Sequence, residues 1–387
     1  MARVLVLDAY WNKSLAAIRC LGRFNHKVFA GECTPWSTGL FSRYVAKPLF
    51  IHASPIRQPE IFLNELRRFL LDHQIQVVLP MEEATLRLLL QSQSQLPPVG
   101  IPFGPLERID WVRDKKNPLW IASQLGIPHP KTLAPESLEE AQDYLAQHPM
   151  PVLFKPRIGS GGVGIHRVYE RNQVWQTYLQ AHQKTPFPLI QELLPSAGKG
   201  LGVSFIFTQG EPLAKFSHLR LREPRFGGAS TLRVSQSFPT QEREALALLK
   251  ACGWKEGVAM VEFKQDIRDQ SFRLMEINPR YWGSLALAIY SGVPFPEISV
   301  RIALNQPLPN FIQKEGVLVR WLIPGEVMVF FEHLKQGKWD REFFRLFFQN
   351  VRDDIWSWDD PLPFFGRITS YGPYLTSPNF ALLRERH

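Results

Sequence analysis

"VAMVEFKQDIRDQSFRLMEINPR", residues 258–280, sets two runs of alternating apolar and polar residues around a polar turn at 267–271. That is the pattern of an antiparallel hairpin. If the hairpin is symmetric about Asp269, Glu262 lies opposite Glu276, and Asn278 shares their face because strand side chains repeat every two residues. Val261, Phe263, Met275 and Ile277 then face a core. Like charges directly across a strand pair cost up to roughly 1 kcal/mol, so the two glutamates call for a cation. With the asparagine oxygen they form a hard, oxygen-only set suited to Mg²⁺ that also binds substrate phosphates. The competing reading is a surface hairpin whose glutamates pair with Lys264, Arg273 or Arg280.

A source of phosphates lies about a hundred residues upstream. "FKPRIGSGGVGI", residues 154–165, has the G-x-G-x-x-G spacing at Gly159, Gly161 and Gly164. A dinucleotide fingerprint needs a helix directly after the glycines and an acidic residue roughly 20 positions on. Here "IHRVYE" alternates like a strand, and residues 181–183 carry no carboxylate. Walker A fails because Ile165 and His166 stand where Lys and Ser or Thr belong, and no "HRD" or "DFG" supports a kinase loop. What remains is a glycine hairpin preceded by Lys155 and Pro156. Its backbone N–H groups can approach phosphate oxygens unobstructed while the lysine adds a point charge.

The rest of the chain sets bounds. Its 387 residues exceed one ordinary core, and 45% apolar with 21% charged residues describes a soluble, globular, multi-unit protein. No apolar run reaches the roughly 18 residues of a membrane span, and Asp8 interrupts the place of a signal peptide, so a cytoplasmic location is expected. Cys20, Cys33 and Cys252 are scattered and have no zinc or redox spacing. The net charge of +9 comes with no nucleic-acid recognition motif. The opening β-α-β pattern leads into a parallel sheet reaching about residue 105, a polar helix at 114–125 stops at "GIPHP", and strands alternate from about Val203 onward.

In this order, "DKK", "GIPHP", "FKPRIGSGGVGI", "IQELL", "VEF" and "MEINPRYWGSLALA" resemble the ATP-grasp superfamily. The last of these looks like the carbamoyl-phosphate-synthetase-like carboxylate-amine ligases. The resemblance implies an ATP-grasp fold, α/β and α+β: an N-terminal Rossmann-like pre-ATP-grasp domain (1–110), a small lid subdomain with the glycine-rich loop (111–194), a larger α+β subdomain with the Mg-binding hairpin (195–310) and a C-terminal extension (311–387). It implies ATP and Mg²⁺ or Mn²⁺ as cofactors. Lys115 and Lys155 would hold the phosphates under the flap of Gly159, Ser160, Gly161, Gly162 and Gly164. Gln191, Glu192 and Leu194 would receive adenine, and Glu262, Glu276 and Asn278 would bind the metal. Lys115 and Arg280 would act on the transferred phosphoryl group. Lys116 directly follows Lys115 and competes for its role, and residues 196–204 lack the acidic ribose contact common in the family.

The expected activity is ADP-forming ligation of a substrate carboxylate, activated as an acyl phosphate, to an amine such as an amino acid or peptide. The alternatives are a bicarbonate-using, carboxyphosphate-forming enzyme and a non-catalytic ATP sensor. Residues 215–233, with Lys215, His218, Arg220, Arg222, Arg225 and Arg233 around Gly227 and Gly228, either hold an anionic substrate or form an ordinary solvated strand. Near the C-terminus, "DREFFRLFFQNV" places Phe344, Phe347, Phe348 and Val351 on one helical face, for core packing, a homodimer contact or a membrane surface. "DDPLPFFG", residues 359–366, reads as a proline-fixed loop.

Overall fold

The computed structural model describes residues 1–159, 161–224 and 230–376. Ser160, Arg225, Gly227 and Gly228 therefore lie outside the described residues. The chain opens with β1 (Arg3–Val6), α1 (Asn12–Arg23), β2 (Lys27–Glu32), β3 (Phe50–Ile51), α2 (Pro59–Asp72), β4 (Val77–Leu79) and α3 (Glu83–Gln91). The strands form a parallel sheet in the order β3-β2-β1-β4, with Gly100 adding one parallel bridge beside Val77. β1 is buried along most of its length and α1 shields it, which is why these segments read as continuous apolar runs.

α4 (Leu106–Arg113) and α5 (Lys116–Gln124) follow, and Gly126 ends α5 with φ +67°. The next unit contains β5 (Thr132–Leu133), α6 (Leu138–Gln147), β6 (Val152–Lys155), β7 (His166–Val168), α7 (Val174–Lys184) and β8 (Leu189–Glu192). Its antiparallel sheet, β5-β8-β6-β7, encloses a separate core that includes Ala141, Leu145, Phe154, Tyr178 and Ile190. Residues 111–127 were expected in this lid. They instead pack on the main core through Val112, Leu119, Ala122 and Ile127, because their apolar faces meet the large sheet.

The large sheet is built from β9 (Gly200–Thr208), β10 (Glu211–Arg222), β11 (Leu232–Ser235), β12 (Gly257–Gln265) and β13 (Phe272–Asn278), with α8 (Pro239–Ala251) between β11 and β12. After α9 (Leu285–Tyr290) and α10 (Phe295–Ala303), the chain returns to the same sheet with β14 (Leu318–Arg320) and, beyond α11 (Val327–Lys335) and α12 (Arg341–Arg345), with β15 (Val351–Asp353). The order is β13-β12-β9-β10-β11-β14-β15. The segment expected as an extension thus contributes the last two strands of this sheet, with β15 at its edge.

Two readings of that segment need correction. α12 stops at Arg345, and Val351 opens a strand, so the expected single helical face does not form. Phe343 and Leu346 are the buried side chains, whereas Phe348 is 91% exposed. Residues 359–366 are not a plain loop, since α13 (Leu362–Thr376) begins within them. The buried Asp360 carboxylate accepts hydrogen bonds from Arg19 Nε (2.9 Å), Ser42 Oγ (2.7 Å) and the Arg43 N–H (2.8 Å). A buried carboxylate needs such donors, and they lie in the N-terminal domain, far away in sequence.

Candidate active site

The hairpin forms in the expected register, with Glu262 opposite Glu276 and Met260 opposite Asn278. One detail differs: the pairing shifts between Glu262 and Phe263, so Phe263 faces Leu274 and Met275 is an extra, bulged residue. Leu274 therefore enters the core in place of Met275, and Met275 lines a cleft with the two glutamates.

That cleft, of about 180 Å³, lies between the glycine loop and the large sheet. Lys155 is delivered to it by the last residue of the buried strand β6, and its Nζ lies 3.3 Å from Glu276 Oε2. Lys115, at the α4–α5 junction, places Nζ 3.6 Å from the same oxygen and donates to the Gly159 carbonyl at 2.7 Å. Burial alone would raise the Glu276 pKa, but Lys155 and Lys115 overcome it and hold the carboxylate down to about 2. Burial lowers the Lys115 pKa against the pull of Glu276. Lys116 points elsewhere, to the exposed Glu136 at 2.6 Å, which leaves Lys115 as the lysine of this pair that faces the cleft.

Gly159, Gly161 and Gly162 line the cleft. Gly164 closes the loop at φ +72°, where a Cβ would also meet Pro156 Cγ at 2.8 Å, so any side chain would be strained and crowded there. The base of the loop is anchored by the Arg157–Asp114 ion pair and by the Lys115 N–H, which donates to the Arg157 carbonyl at 3.0 Å. This gives "DKK" its purpose: the aspartate holds the loop and the lysine enters the site.

Glu262 has a different cation. Arg220 Nη2 lies 2.8 Å from Glu262 Oε2, while Asn278 Nδ2 donates to Glu262 Oε1 at 3.0 Å. Gly200 opposite allows this approach, since a Cβ there would sit 2.7 Å from Arg220 Cδ. The repulsion between the glutamates is thus met by three protein cations, Lys115, Lys155 and Arg220. Two carboxylates and an amide oxygen still present only hard oxygen donors. That suits Mg²⁺, which takes few protein ligands and completes its shell from phosphates and water. Among the described residues there is no cluster of three or more His, Cys, Asp or Glu side chains able to hold a metal unaided.

Other expected residues fall outside the cleft lining. Gln191 is buried in the lid sheet, where its Nε2 donates to Thr132 Oγ1 at 2.8 Å and its Oε1 has no hydrogen-bond partner among the described residues. Glu192 pairs with Arg268 at 2.5 Å, and Leu194 is buried. Arg280 stands where the hairpin meets the N-terminal domain. It donates to the Tyr281 carbonyl at 2.9 Å, close to Lys13, which donates to the same oxygen at 3.3 Å. Of the described basic residues in 215–233, only Arg220 lines the cleft, next to Glu223. Lys215 pairs with Glu242, Arg222 with Glu326 and Asp340, and Arg233 with Asp354. His218 is fully buried against Ser284 at 3.0 Å, and burial together with Arg220 and Arg233 pushes its pKa well below the ordinary value. It is a packed neutral histidine, not a base. Glu83 and Arg113, which border a side chamber with Lys115, Glu276 and Asn278, carry no motif that would have flagged them.

No family model matches the chain. Mitochondrial acetyl-CoA carboxylase of Saccharomyces cerevisiae is 27% identical over 169 residues, covering 41% of this chain and 7% of that protein. The carbamoyl phosphate synthase large chain of Thermomicrobium roseum is 21% identical over 214 residues, covering 53% of this chain and 20% of that one. The chain therefore spans a small part of the curated relatives it matches. Among solved structures, Campylobacter jejuni biotin carboxylase superposes with a TM-score of 0.68 at 14% identity, over 81% of this chain and 74% of that one. Staphylococcus aureus N5-carboxyaminoimidazole synthetase gives 0.64 at 14% identity, over 87% and 85%. Bacillus licheniformis L-amino acid ligase gives 0.57 at 16% identity, over 81% and 75%. Through these likenesses, the chain has the ATP-grasp fold.

Proposed function

We propose that the protein is an ATP-dependent, ADP-forming ligase that activates a substrate carboxylate as an acyl phosphate and joins it to an amine, such as an amino acid or peptide. The observation that carries this reading is the placement of Glu276 between Lys115 and Lys155, opposite Glu262 and beneath the glycine loop. ATP phosphates would displace Glu276 as the partner of the two lysines, and the carboxylate would turn to a metal ion. The unpartnered Gln191 Oε1 supports a polar ligand at the hinge formed with Glu192 and Leu194.

Glu262, Glu276 and Asn278 would hold Mg²⁺, which would supply positive charge to offset that of the ATP phosphates. Lys115 and Lys155 would neutralise the oxygens of the transferred group, Gly159, Gly161 and Gly162 would cover it with backbone N–H groups, and Arg280, whose charge acts on Glu276, would attract the substrate anion. Positioning and charge neutralisation are the main demands of phosphoryl transfer. The covering loop limits hydrolysis of the acyl phosphate by water.

Likeness to two carboxylases and a carboxyaminoimidazole synthetase supports a second reading, in which bicarbonate is the acid activated. ADP release should be measured with pools of carboxylates and amines, with and without bicarbonate, and with Glu276→Ala as blank. Dependence on one organic carboxylate plus one amine is the expected result. Dependence on bicarbonate would move the assignment to the carboxylase reading, and nucleotide binding without stimulated release would remove both.

A further inference from the structure

Around α11 and α12 the surface has a character found nowhere in the cleft. Phe331, Leu334, Trp339, Phe344, Phe347 and Phe348 are exposed by 53%, 44%, 63%, 40%, 49% and 91%. They pack on one another at their base: Phe330 meets Phe343 with centroids 4.8 Å apart, Trp339 stacks on Phe344 at 5.3 Å, and Arg320 lies 4.1 Å over the Phe347 ring. Large apolar side chains gathered in this way mark an interaction surface.

The exposed charges around them are mostly positive. Lys335, Lys338 and Arg341 are exposed and have no ion-pair partner among the described residues. Two acids of the same segment turn inward: Glu326 is fully buried against Arg222, and Asp340 is buried against Arg222 at 3.1 Å and His333 at 3.0 Å. Glu342 also reaches Arg222, at 2.9 Å. The outward face therefore presents aromatic rings and the unpaired cations Lys335, Lys338 and Arg341, set against the exposed Glu342, which Arg222 and Arg345 neutralise, and the half-buried Glu332. This combination fits the headgroup layer of an anionic lipid bilayer, where aromatic rings sit at the interface and Lys or Arg side chains meet lipid phosphates. No helix among the described residues is long and apolar enough to cross a membrane, so contact would be with the surface.

We infer that the α11–α12 face docks the protein on anionic membrane surfaces, independently of the reaction assigned to the cleft. The test is sedimentation of the full chain with vesicles of phosphatidylcholine alone or mixed with phosphatidylglycerol. Binding to the mixed vesicles is expected, with little to the neutral ones. Trp339→Ser with Phe348→Ser, and separately Lys335→Glu with Lys338→Glu, should each weaken it at least about tenfold. All four positions are exposed, so unchanged melting and unchanged nucleotide turnover should accompany the loss. Equal binding to neutral and anionic vesicles, no binding to either, or variants that bind like the parent would overturn the inference. So would light scattering that shows a dimer dissolved by the Trp339→Ser, Phe348→Ser pair, which would assign the face to a second copy of the chain.

Discussion

The molecule holds two clusters of carboxylates at strand ends or on facing strands, and their electrostatics run in opposite directions. In the cleft, Glu262 and Glu276 meet Arg220, Lys155 and Lys115, and Glu276 is held down to about 2. At the carboxyl ends of the N-terminal sheet, Asp8, Glu32 and Glu82 lie together, with Lys13 2.6 Å from Glu82. Burial and then the Glu82 charge push Asp8 up to about 6, and burial and then Asp8 push Glu32 up to about 7. The second cluster serves the backbone: Asp8 accepts the N–H groups of Met81 and Glu82 and the Thr85 hydroxyl, and Glu32 those of Tyr10 and Cys33. Cations in excess beside an open cleft suit an exchanging anion, whereas acids satisfied by loop amides suit a closed fold.

The strongest way to break this contrast is to remove a charge from the cleft. Lys155→Ala or Glu276→Gln should lower ADP release by about a thousandfold, read in a coupled assay with melting monitored alongside. If either retains half the activity, the cleft is not the site of chemistry. Arg220→Gln frees Glu262 from its cation and should shift the Mg²⁺ dependence of turnover by roughly tenfold. A changed Mg²⁺ titration with an unchanged saturated rate would place Arg220 as a positioning residue.

The pH dependence of stability sharpens the comparison further. Glu276 lies below its ordinary 4.5, so its contribution is present above that value and is lost as pH falls through about 2. Glu32 lies above 4.5, so its contribution is fully present below that value and is lost as pH rises through about 7. Each amounts to at most roughly 3 kcal/mol. Denaturant unfolding across pH should show the slope flattened between 4.5 and 7 by Glu32→Gln and on the acid side by Glu276→Gln. If both variants alter the same limb, the opposite signs are wrong. The smallest effect belongs to Lys116→Ala: with its partner Glu136 on the surface, turnover should change by less than about twofold, and a large loss would reverse the assignment of Lys115.

Much of the cleft was legible before any folding was considered. The Glu262–Glu276 register follows from strand alternation around one turn, and the strand–glycine loop–strand reading of 152–168 holds because both flanks are short apolar runs broken by glycine. The bulge at Met275 was not legible, since alternation has no way to signal one extra residue. Nor was the end of α12 at Arg345: "EFFRLFF" has helical spacing, but the strand starting at Val351 pairs in parallel with β14.

The sequence by itself determined which groups take part: two lysines, a glycine loop and a carboxylate pair whose chemistry is set by residue type and whose facing is set by local period. Only the tertiary structure decided which charges remain free. Arg222 and Arg233 are tied to acids more than a hundred residues away, Arg220 turns to Glu262, and Asp360 clamps α13 to the N-terminal domain. Charge pairing depends on distance in space, and separation along the chain carries no information about it.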